Sequence, residues 1–495
     1  MADEQLQPIV ALGRNCWRIA RASEASVIVD AADYYRLIKG AMEAAHKRIF
    51  IVGWDFDSRI ALDPDEHGQG ETLGQFFLRL AHEKPGRQID ILKWSFGAYK
   101  QLLRPAALLW LYRWWRTRAI DFRLDSAHPP GCSHHQKIVV IDDRLAVCGG
   151  IDISTARWDT SDHIDDDPHR TGPDGKPYGP WHDATMLMQG DVAGALAELG
   201  RERWKEATRH ELAPIEPCGG EWPDRLKVMF ADVDIAIART RAAYGEFGEV
   251  REVETLFLDM IAAAQRFIYF ENQYFTSAKI GAAIATRMAE PNPPEIVMIM
   301  PRQADGWLEQ QAMDAARLKL IAAIGAKDQG NRFRVYVPVT AKGEDIYVHA
   351  KVAIVDDRLL RVGSANLNNR SQGLDSECDV IIDAGLAANA DTPPAIAALR
   401  HRLLAEHLGC SPENFAKAER QAGSMVPAIE ALRGPGKTLD LLDMEALSAT
   451  EEFIASNELL DPEIPEAMLD PIGKRGLAQS WAKGRAAIGR RLGRR

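Results

Sequence analysis

The residues best suited to chemistry form two copies of one pattern, a histidine, a lysine two positions later and an aspartate five positions after that. They are His135, Lys137 and Asp142 in the first copy and His349, Lys351 and Asp356 in the second. The copies lie 214 positions apart, and each is followed by a glycine, Gly149 or Gly363. Two imidazoles and two ammonium groups at one point suit a phosphodiester, because fixed positive charge binds the phosphate and histidine exchanges protons near neutral pH.

Two histidines can divide the work of phosphodiester cleavage. One neutral imidazole attacks phosphorus and forms a phosphohistidine, while the other, protonated, gives its proton to the departing alcohol oxygen. In the second half-reaction the former acid removes a proton from water or from an acceptor alcohol. Lys137 and Lys351 supply the positive charge that metal ions supply in other phosphodiesterases, so we expect no cofactor and no catalytic metal.

The runs HQKIVVI and HAKVAIV are short and β-branched, which predicts strands buried on both faces. Side chains alternate along a strand, so each histidine shares a face with its lysine, while the motif aspartate points away. We therefore predict a structural role for Asp142 and Asp356, at the turn before the next strand. The small residues after each copy, Gly150 and Ser364 among them, let the backbone approach a phosphate closely.

Longer segments around both copies resemble the phospholipase D superfamily, and the eukaryote-like phospholipases D most closely. HHQKIVVIDDRLAVCGGIDISTARWD (134–159) is similar to the first catalytic segment, and IYVHAKVAIVDDRLLRVGSANLNNRS (346–371) to the second. FIYFENQYF (267–275) resembles the family's IENQ segment, and PWHD (180–183) its PWRD segment. The likeness runs from about residue 49 to about residue 383. The superfamily also includes nucleases and the cardiolipin and phosphatidylserine synthases.

The resemblance implies a role for each matching residue. His135 is the nucleophile and His349 the acid and base, although pseudosymmetry leaves the two interchangeable on sequence grounds. The phosphate clamp consists of Lys137, Lys351 and Asn366, with Asp152 as a further candidate at the position that matches Asn366 in the other copy.

A catalytic histidine needs a carboxylate or carbonyl on its second ring nitrogen, which fixes the tautomer and raises the basicity. Glu377 and Asp183 stand at the family-equivalent positions. We expect Glu377 to orient His349 and Asp183 to orient His135. The neighbouring residues His134 and His182 are expected to serve polar packing.

The repeat also predicts the architecture. AMEAAHKRIFIVGWDF (41–56), a helix leading into a strand, is echoed by LFLDMIAAAQRFIYFENQYF (256–275). Alternating helices and strands predict an α/β fold of two pseudo-symmetric sandwich halves, with the active site at their interface. We expect an N-terminal half over 1–215, a C-terminal half over 216–430 and a tail over 431–495, because APIEPCGGEWPD (213–224) is rich in Pro and Gly.

Composition and charge indicate the size of the cores, the cellular compartment and the class of partner. The 495 residues, 46% of them hydrophobic, can bury two cores, and no run is long enough to span a membrane. Six cysteines without ligand spacing and an acidic start that lacks a secretory pattern predict a reduced, cytoplasmic chain, with export by a signal-less route left open. A net charge of −11 argues against nucleic acid as a partner.

Several segments allow two interpretations. The tail carries ten acidic residues between 440 and 470 and eight basic ones between 473 and 495, so its end is either an interfacial anchor for anionic lipid or a basic tail that folds onto the acidic stretch. The aromatic stretch 105–119 either covers a sheet or enters a lipid interface. The Asp- and His-rich stretch 159–180 is expected to be a solvated loop at the entrance rather than a metal site. Trp54, Trp181 and Tyr274 could face a quaternary ammonium headgroup.

Taken together, the sequence predicts a phospholipase D that cleaves the distal phosphodiester of phosphatidylcholine or phosphatidylethanolamine and transfers the phosphatidyl group to added alcohols. The expected partners are phospholipid and the membrane surface, to which the protein binds peripherally. A monomer suffices, because one chain holds both motifs. The alternatives are a cardiolipin-synthase-like phosphatidyltransferase, a nuclease of the same superfamily and a non-catalytic lipid-binding scaffold.

Overall fold

The structure, a computed structural model, describes residues 6–65, 69–95, 105–303 and 307–442. The basic tail predicted over 473–495 lies outside the described residues, as does nearly all of the acidic stretch before it.

Eighteen strands are present in the described chain. In the first half of the sequence they are β1 (Arg18–Val29), β2 (Arg48–Gly53), β3 (Gln88–Trp94), β4 (Ile120–Asp125), β5 (Ile138–Ile141), β6 (Leu145–Gly149), β7 (Trp181–His182) and β8 (Ala184–Gln189). In the second half they are β9 (Phe230–Arg241), β10 (Val250–Arg251), β11 (Phe267–Glu271), β12 (Glu295–Ile299), β13 (Phe333–Val339), β14 (Tyr347–Val348), β15 (Val352–Val355), β16 (Leu359–Gly363), β17 (Glu377–Asp383) and β18 (Thr438–Leu441).

One sheet contains all of these strands except β7 and β14, which pair with each other. Its order is β4-β3-β2-β5-β6-β8-β1-β9-β17-β16-β15-β11-β12-β13-β18, with β10 attached to β9. The antiparallel pair of β1 and β9 lies at the centre. From β1 outward the order is β8, β6, β5, β2, β3 and β4, and from β9 outward it is β17, β16, β15, β11, β12 and β13. Equivalent strands of the two halves thus occupy equivalent places, so the sheet has an internal pseudo-two-fold axis. The predicted boundary falls within residues 209–229, which contain no helix or strand.

Helices cover both faces of the sheet, which confirms the predicted α/β class. They are α1 (Ala31–Ala44), α2 (Leu73–Glu83), α3 (Pro105–Trp115), α4 (Asp191–Thr208), α5 (Glu252–Ala263), α6 (Ala278–Met288), α7 (Trp307–Gly325), α8 (Asn369–Gly373), α9 (Pro393–His407), α10 (Pro412–Ala422) and α11 (Met425–Leu432). A short 3₁₀ helix spans Ala387–Asn389. The predicted echo of a helix leading into a strand is present as α1 with β2 and as α5 with β11.

The strands that follow the two motifs are buried on both faces, as predicted. Ile138 and Val140 of β5 belong to a core that continues through both halves and includes side chains of α4 and α9. Val139 and Ile141 face a second core, which is confined to the first half. Such burial of successive side chains on opposite faces fixes the strand register, and with it the position of the residues just before β5.

Helix α3 covers the sheet with one face and exposes the other. Trp114 is 1% exposed and packs against Phe56, Phe77 and Phe122. On the other face Leu109, Tyr112 and Trp115 are 50%, 52% and 80% exposed. Among the described helices, none combines the length and the apolar character that crossing a bilayer requires.

Candidate active site

The two His-x-Lys segments lie just before their strands rather than inside them, because β5 begins at Ile138 and β15 at Val352. Each segment is extended and pairs with the opposite half of the chain. The backbone N–H of His135 donates to the carbonyl of Ser376 at 2.9 Å, and that of His349 donates to the carbonyl of His182 at 2.8 Å. Both motifs therefore cross the central seam.

This crossing determines which carboxylate holds which histidine. Nδ1 of His135 lies 2.9 Å from Oε2 of Glu377, and Nδ1 of His349 lies 2.7 Å from Oδ2 of Asp183. The expected pairing, Glu377 with His349 and Asp183 with His135, is wrong. The backbone of His135 pairs with Ser376, which precedes Glu377, and that of His349 pairs with His182, which precedes Asp183. Each histidine therefore takes its carboxylate partner from the opposite half. Because Nδ1 is occupied in both rings, Nε2 is left for chemistry in each.

The two lysines occupy equivalent positions in the two motifs but have different side-chain partners. Nζ of Lys137 lies 3.3 Å from Oδ2 of Asp152 and donates to the carbonyl of His135. Nζ of Lys351 donates to Oε1 of Gln273 at 3.2 Å and to the carbonyl of His349. Both side chains are almost wholly buried. The ion pair leaves Lys137 partly neutralised, whereas Lys351 faces a neutral amide.

Lysines from both halves act on the pKa of both motif histidines. Burial lowers the pKa of His135 well below its usual value, and Lys137 and Lys351 lower it further. Burial likewise lowers the pKa of His349 well below its usual value, with contributions from Lys351, Lys137 and His135. Burial also lowers the pKa of Lys351 to about 7. Positive charge from both halves thus acts on both imidazoles, which are neutral at pH 7 in the protein alone.

The two carboxylates are themselves buried and perturbed. Burial raises the pKa of Asp183 to about 6 and raises that of Glu377 above its usual value. Two hydroxyl groups act in the opposite direction on Glu377, because Ser364 donates to Oε2 at 2.5 Å and Ser371 to Oε1 at 2.6 Å. Glu377 is therefore held by two serines and by the ring of His135.

Gly150 and Ser364, predicted to approach the phosphate, both lie against the carboxylates. The hydroxyl of Ser364 is committed to Glu377, and its N–H donates to the carbonyl of Cys378. A Cβ at Gly150 would lie 2.1 Å from Oδ1 of Asp183, so glycine leaves the space that this carboxylate occupies. The Ser364 hydroxyl is thus taken up by Glu377, while the close approach of the two backbones to phosphate stays a prediction.

Asn366 and Asp152 occupy equivalent positions in the two halves and are both buried. Oδ1 of Asn366 has no hydrogen-bond partner within the described part of the chain. Asp152 accepts the N–H of Asp55 with one oxygen and faces Lys137 with the other. The negative charge of Asp152 is therefore offset by the adjacent ammonium group of Lys137.

The motif aspartates lie away from the histidines, each at the start of a neighbouring strand. Asp142 accepts the backbone N–H groups of residues 46, 47 and 48. Asp356 accepts those of residues 265, 266 and 267. With φ values of 54° and 51°, Asp142 and Asp143 form a tight hairpin turn, and Asp356 and Asp357 repeat it at 54° and 56°. These contacts fix β5 to β2 and β15 to β11.

Aromatic rings border the site, and the faces of one of them, Trp181, are already covered. Trp181 stacks on Tyr347 at 4.6 Å, and the guanidinium of Arg157 lies 4.1 Å from the Trp181 ring, so its faces are not free for a headgroup. The hydroxyl of Tyr274 accepts a hydrogen bond from Gln273. Trp54 contacts the His135 ring edge-on at 6.0 Å between centroids, and Nζ of Lys137 lies 5.7 Å from the Trp54 ring. Trp181 also lies beside the second motif, with its ring centroid 5.2 Å from that of His349. Trp54 and Trp181 therefore each border one catalytic histidine.

The predicted packing role of His134 and His182 agrees with their complete burial. Burial lowers the pKa of His134 to about 3, and its Nδ1 contacts the hydroxyl of Ser376 at 2.9 Å. The prediction that 159–180 is a solvated loop is wrong at His163, which is 1% exposed and holds Asp159 at 2.8 Å. The prediction failed there because the many aspartates of this stretch suggested exposure to solvent.

Sequence reasoning also missed Ser371, Gln273 and Arg157. Gln273 lies in the ENQ segment that the sequence singled out, so its position carried a signal although its contact with Lys351 did not. Ser371 lies 15 positions after Asp356, the last residue of the second motif. Nothing in its spacing points to Glu377.

Comparison with known proteins shows what this chain resembles. Residues 257–391 match the family model described as "Cardiolipin synthase, PLD-like domain". The chain is 27% identical to "Phospholipase D1" of Saccharomyces cerevisiae over 56% of its length and 23% identical to "Phospholipase D alpha 1" of Carica papaya over 88%. These alignments span 22% of the yeast protein and 69% of the papaya protein.

The fold has a counterpart among solved structures. The phosphatidylserine synthase of Haemophilus influenzae superposes with a TM-score of 0.50 at 15% identity, covering 77% of this chain and 88% of that one. The likeness concerns the fold, because the identity is too low to carry a substrate. Sequence and fold together relate this chain to the phospholipase D superfamily.

Proposed function

We propose that the protein is a phospholipase D that cleaves the distal phosphodiester of a glycerophospholipid and releases phosphatidate and the headgroup alcohol. One observation carries the proposal: His135 and His349 each have Nδ1 on a buried carboxylate from the opposite half, with both lysines acting on both rings. Two oriented bases beside two cations form a site for double displacement at phosphorus.

In the first step Nε2 of His135 attacks phosphorus, and the bond from phosphorus to the headgroup oxygen breaks. Nε2–H of His349 gives its proton to that oxygen, so the alcohol leaves neutral. The attacking imidazole gains a positive charge, which Glu377 stabilises through the Nδ1–H bond. Lys137, Lys351 and the amide of Asn366 stabilise the negative charge on the remaining phosphate oxygens.

In the second step His349, now neutral, removes a proton from water. The water oxygen bonds to phosphorus as the P–N bond to His135 breaks, which returns both imidazoles to their starting states. An alcohol can take the place of water, because the intermediate reacts with whichever hydroxyl enters the site. Transphosphatidylation follows from the same chemistry.

The pKa shifts fit this division of labour. A neutral His135 is ready to attack, whereas His349 needs a proton that burial and the lysines disfavour in the protein alone. A bound phosphodiester carries one negative charge and offsets those lysines, which raises the pKa of His349. Substrate binding thus creates the acid that the first step uses.

A phosphatidyltransferase is the second candidate, favoured by the match of residues 257–391 to a family model described for cardiolipin synthase. It would use the same intermediate but accept a lipid hydroxyl in place of water. In either case we propose that the protein meets its substrate at a membrane surface as a soluble or peripherally bound chain. We also propose that it resides in the cytoplasm.

The test is a product analysis in buffer without added divalent cations. The protein is incubated with phosphatidylcholine, phosphatidylethanolamine or phosphatidylglycerol vesicles, with ethanol present, alongside plasmid DNA. We expect phosphatidate and phosphatidylethanol from vesicles and intact DNA. His135→Ala should abolish both products, while His169→Ala, at a histidine outside the site, serves as the matched control. Cardiolipin formed from phosphatidylglycerol without phosphatidate would favour the transferase, and DNA cleavage would contradict both.

A further inference from the structure

A second cluster of histidines and carboxylates is buried directly behind Asp183. It consists of Asp30, His163, His182 and Glu406, whose ligand atoms all lie within 4.8 Å of one another. The four residues come from four separate segments: the end of β1, the loop after the first motif, β7, and α9 of the second half. Their side chains are between 0% and 4% exposed. Such a convergence removes four ionisable groups from water together, which is costly unless their charges are met.

The distances within this cluster, from 2.9 to 3.9 Å, bracket the spacing of ligand atoms around a four-coordinate metal ion. Nδ1 of His182 lies 2.9 Å from Oε1 of Glu406 and 3.2 Å from Oδ1 of Asp30. Nε2 of His163 lies 3.3 Å from Oε1 of Glu406 and 3.9 Å from Oδ2 of Asp30. Tetrahedral ligands at about 2.0 Å from zinc are about 3.3 Å from one another.

Hydrogen bonds satisfy only part of this cluster: Nε2 of His163 bonds Oε1 of Glu406 at 3.3 Å, and Asp30 accepts from the hydroxyl of Ser161 at 2.8 Å. Within the described part of the chain neither Nδ1 of His182 nor Oε2 of Glu406 has a hydrogen-bond partner, although both are buried. The short contacts of His182 Nδ1 with the two carboxylates therefore lack hydrogen-bond geometry. Buried polar atoms without partners are rare, and an ion is one of the groups that explain them.

The second ring nitrogen of each histidine is held by a further carboxylate. Nδ1 of His163 lies 2.8 Å from Oδ2 of Asp159, and Nε2 of His182 lies 3.1 Å from Oε2 of Glu271. Glu271 in turn accepts from Nε2 of His407 at 3.0 Å. A carboxylate on the far nitrogen is the usual support of a metal-bound histidine, because it fixes the tautomer and makes the ligand more basic.

The fixed charges around the cluster do not cancel. Four carboxylates, Asp30, Glu406, Asp159 and Glu271, lie in it or against its histidines. Two side-chain cations approach: Arg170 bonds Asp159 at 3.2 Å, and Lys437 donates to the carbonyl of Ser161 at 2.6 Å. Four negative and two positive groups leave a deficit of two charges, which one divalent cation would balance with the imidazoles of His163, His182 and His407 all neutral.

We propose that Asp30, His163, His182 and Glu406 bind one zinc-class divalent cation. Two imidazole nitrogens and two carboxylate oxygens favour zinc or a first-row transition metal over calcium and magnesium, which prefer oxygen ligands alone. All four positions are filled by the protein, so the ion is structural rather than a Lewis acid for the substrate.

The ion would stabilise the segment of His182 and Asp183, which positions His349 in the active site. His182 precedes Asp183, and its carbonyl accepts the N–H of His349. Asp30 also accepts the N–H of Asp183 at 3.2 Å. A bridge between Glu406 and the three residues from the first half would thus clamp the seam at the segment that positions His349.

Elemental analysis of the purified full-length protein, expressed with zinc in the medium, is the direct test. We expect about one equivalent of a transition metal per chain. Removal with a strong chelator should lower the thermal midpoint, and zinc should restore it while calcium and magnesium do not. Cobalt in place of zinc should give the visible absorption of a four-coordinate site.

Variants separate this cluster from the catalytic site. His163→Ala and Glu406→Gln should each lose the bound metal, while His169→Ala, in the same loop, should keep it. His135→Ala should lose activity and keep the metal, so that failure of the proposed reaction and failure of the metal site are distinguishable. Wild-type protein that carries no transition metal as purified, and takes none up after chelation, would overturn the proposal and assign the two charges to protons on His163 and His182.

Discussion

His349 of the second motif takes its carboxylate partner from the first half of the chain, with Nδ1 of His349 2.7 Å from Oδ2 of Asp183. The reciprocal contact joins His135 to Glu377. Neither half holds a complete histidine–carboxylate pair, so the catalytic unit forms when the two halves dock.

The crossed pairing predicts the effect of removing either carboxylate. Asp183→Asn should lower kcat by about 10²–10⁴-fold, because an amide cannot stabilise the imidazolium or hold the same tautomer. Glu377→Gln should do the same, with KM little changed in both variants. Asp174→Asn, in the exposed part of the 159–180 loop, is the control.

Histidine NMR assigns the partners in these variants. The ring signals of His135 should shift most in Glu377→Gln, and those of His349 most in Asp183→Asn. The opposite assignment would contradict the pairing.

Ser371 is expected to tune Glu377 without touching substrate. Its hydroxyl lowers the pKa of this carboxyl, so Ser371→Ala should raise that pKa and shift the acidic limb of the kcat/KM profile to higher pH. We expect kcat to fall by roughly 10-fold. Ser371→Thr keeps the hydroxyl and should restore the profile. A fall in kcat with an unshifted profile would mean that the serine acts through packing alone.

Burial of His134 makes the protein sensitive to acid. Its pKa is about 3 in the folded state and near the usual 6.5 when unfolded, so the unfolded chain binds the extra proton between these values. The free energy of unfolding should therefore fall as pH drops below about 6.5, by at most about 1.4 kcal/mol per pH unit for this group. His135 and His349 act in the same direction.

Urea unfolding at a series of pH values tests this sensitivity. His134→Gln should show a shallower fall than wild type, and His169→Gln should match wild type. An unchanged slope in His134→Gln would contradict the account.

The exposed face of α3 is expected to contact the lipid surface. Leu109, Tyr112 and Trp115 are exposed, and the same stretch exposes Arg113 and Arg116, a combination typical of interfacial helices. Changing the three apolar residues to serine should weaken binding to anionic vesicles by about 10-fold or more. Leu12→Ser, at another exposed apolar residue, is the control. Turnover of a soluble short-chain substrate should stay unchanged, and equal loss on both substrates would contradict an interfacial role.

The sequence predicted the features that occur in both halves, but it did not predict the contacts that form only when the halves dock. His135 and His349 could be found because duplication marks them, and the helix–strand echo predicted the two similar halves of the sheet. The partners of these histidines could not be found in the same way. Symmetry permits pairing within a half or across the seam, and only the extended segment that crosses to Ser376 or His182 decides between them.

Buried polar contacts were missed for a related reason. Ser371 is near Glu377 in sequence, but a single serine has no signature that distinguishes it from the other small residues around the motif. His163 was expected in solvent because acidic residues surround it, yet Asp159 and Glu406 hold it inside. Local composition predicts exposure well only where no distant segment supplies a partner.

The central claim is that His135 and His349 act on one phosphorus atom, and trapping the covalent intermediate tests it most directly. A nitrophenyl phosphodiester has a leaving group that needs no acid, so His349→Ala should still form the intermediate and should hydrolyse it slowly. Mass spectrometry of the quenched protein should then find the phosphoryl adduct on His135 in this variant and none in His135→Ala. Absence of any histidine adduct, together with undiminished turnover by His135→Ala, would contradict the account.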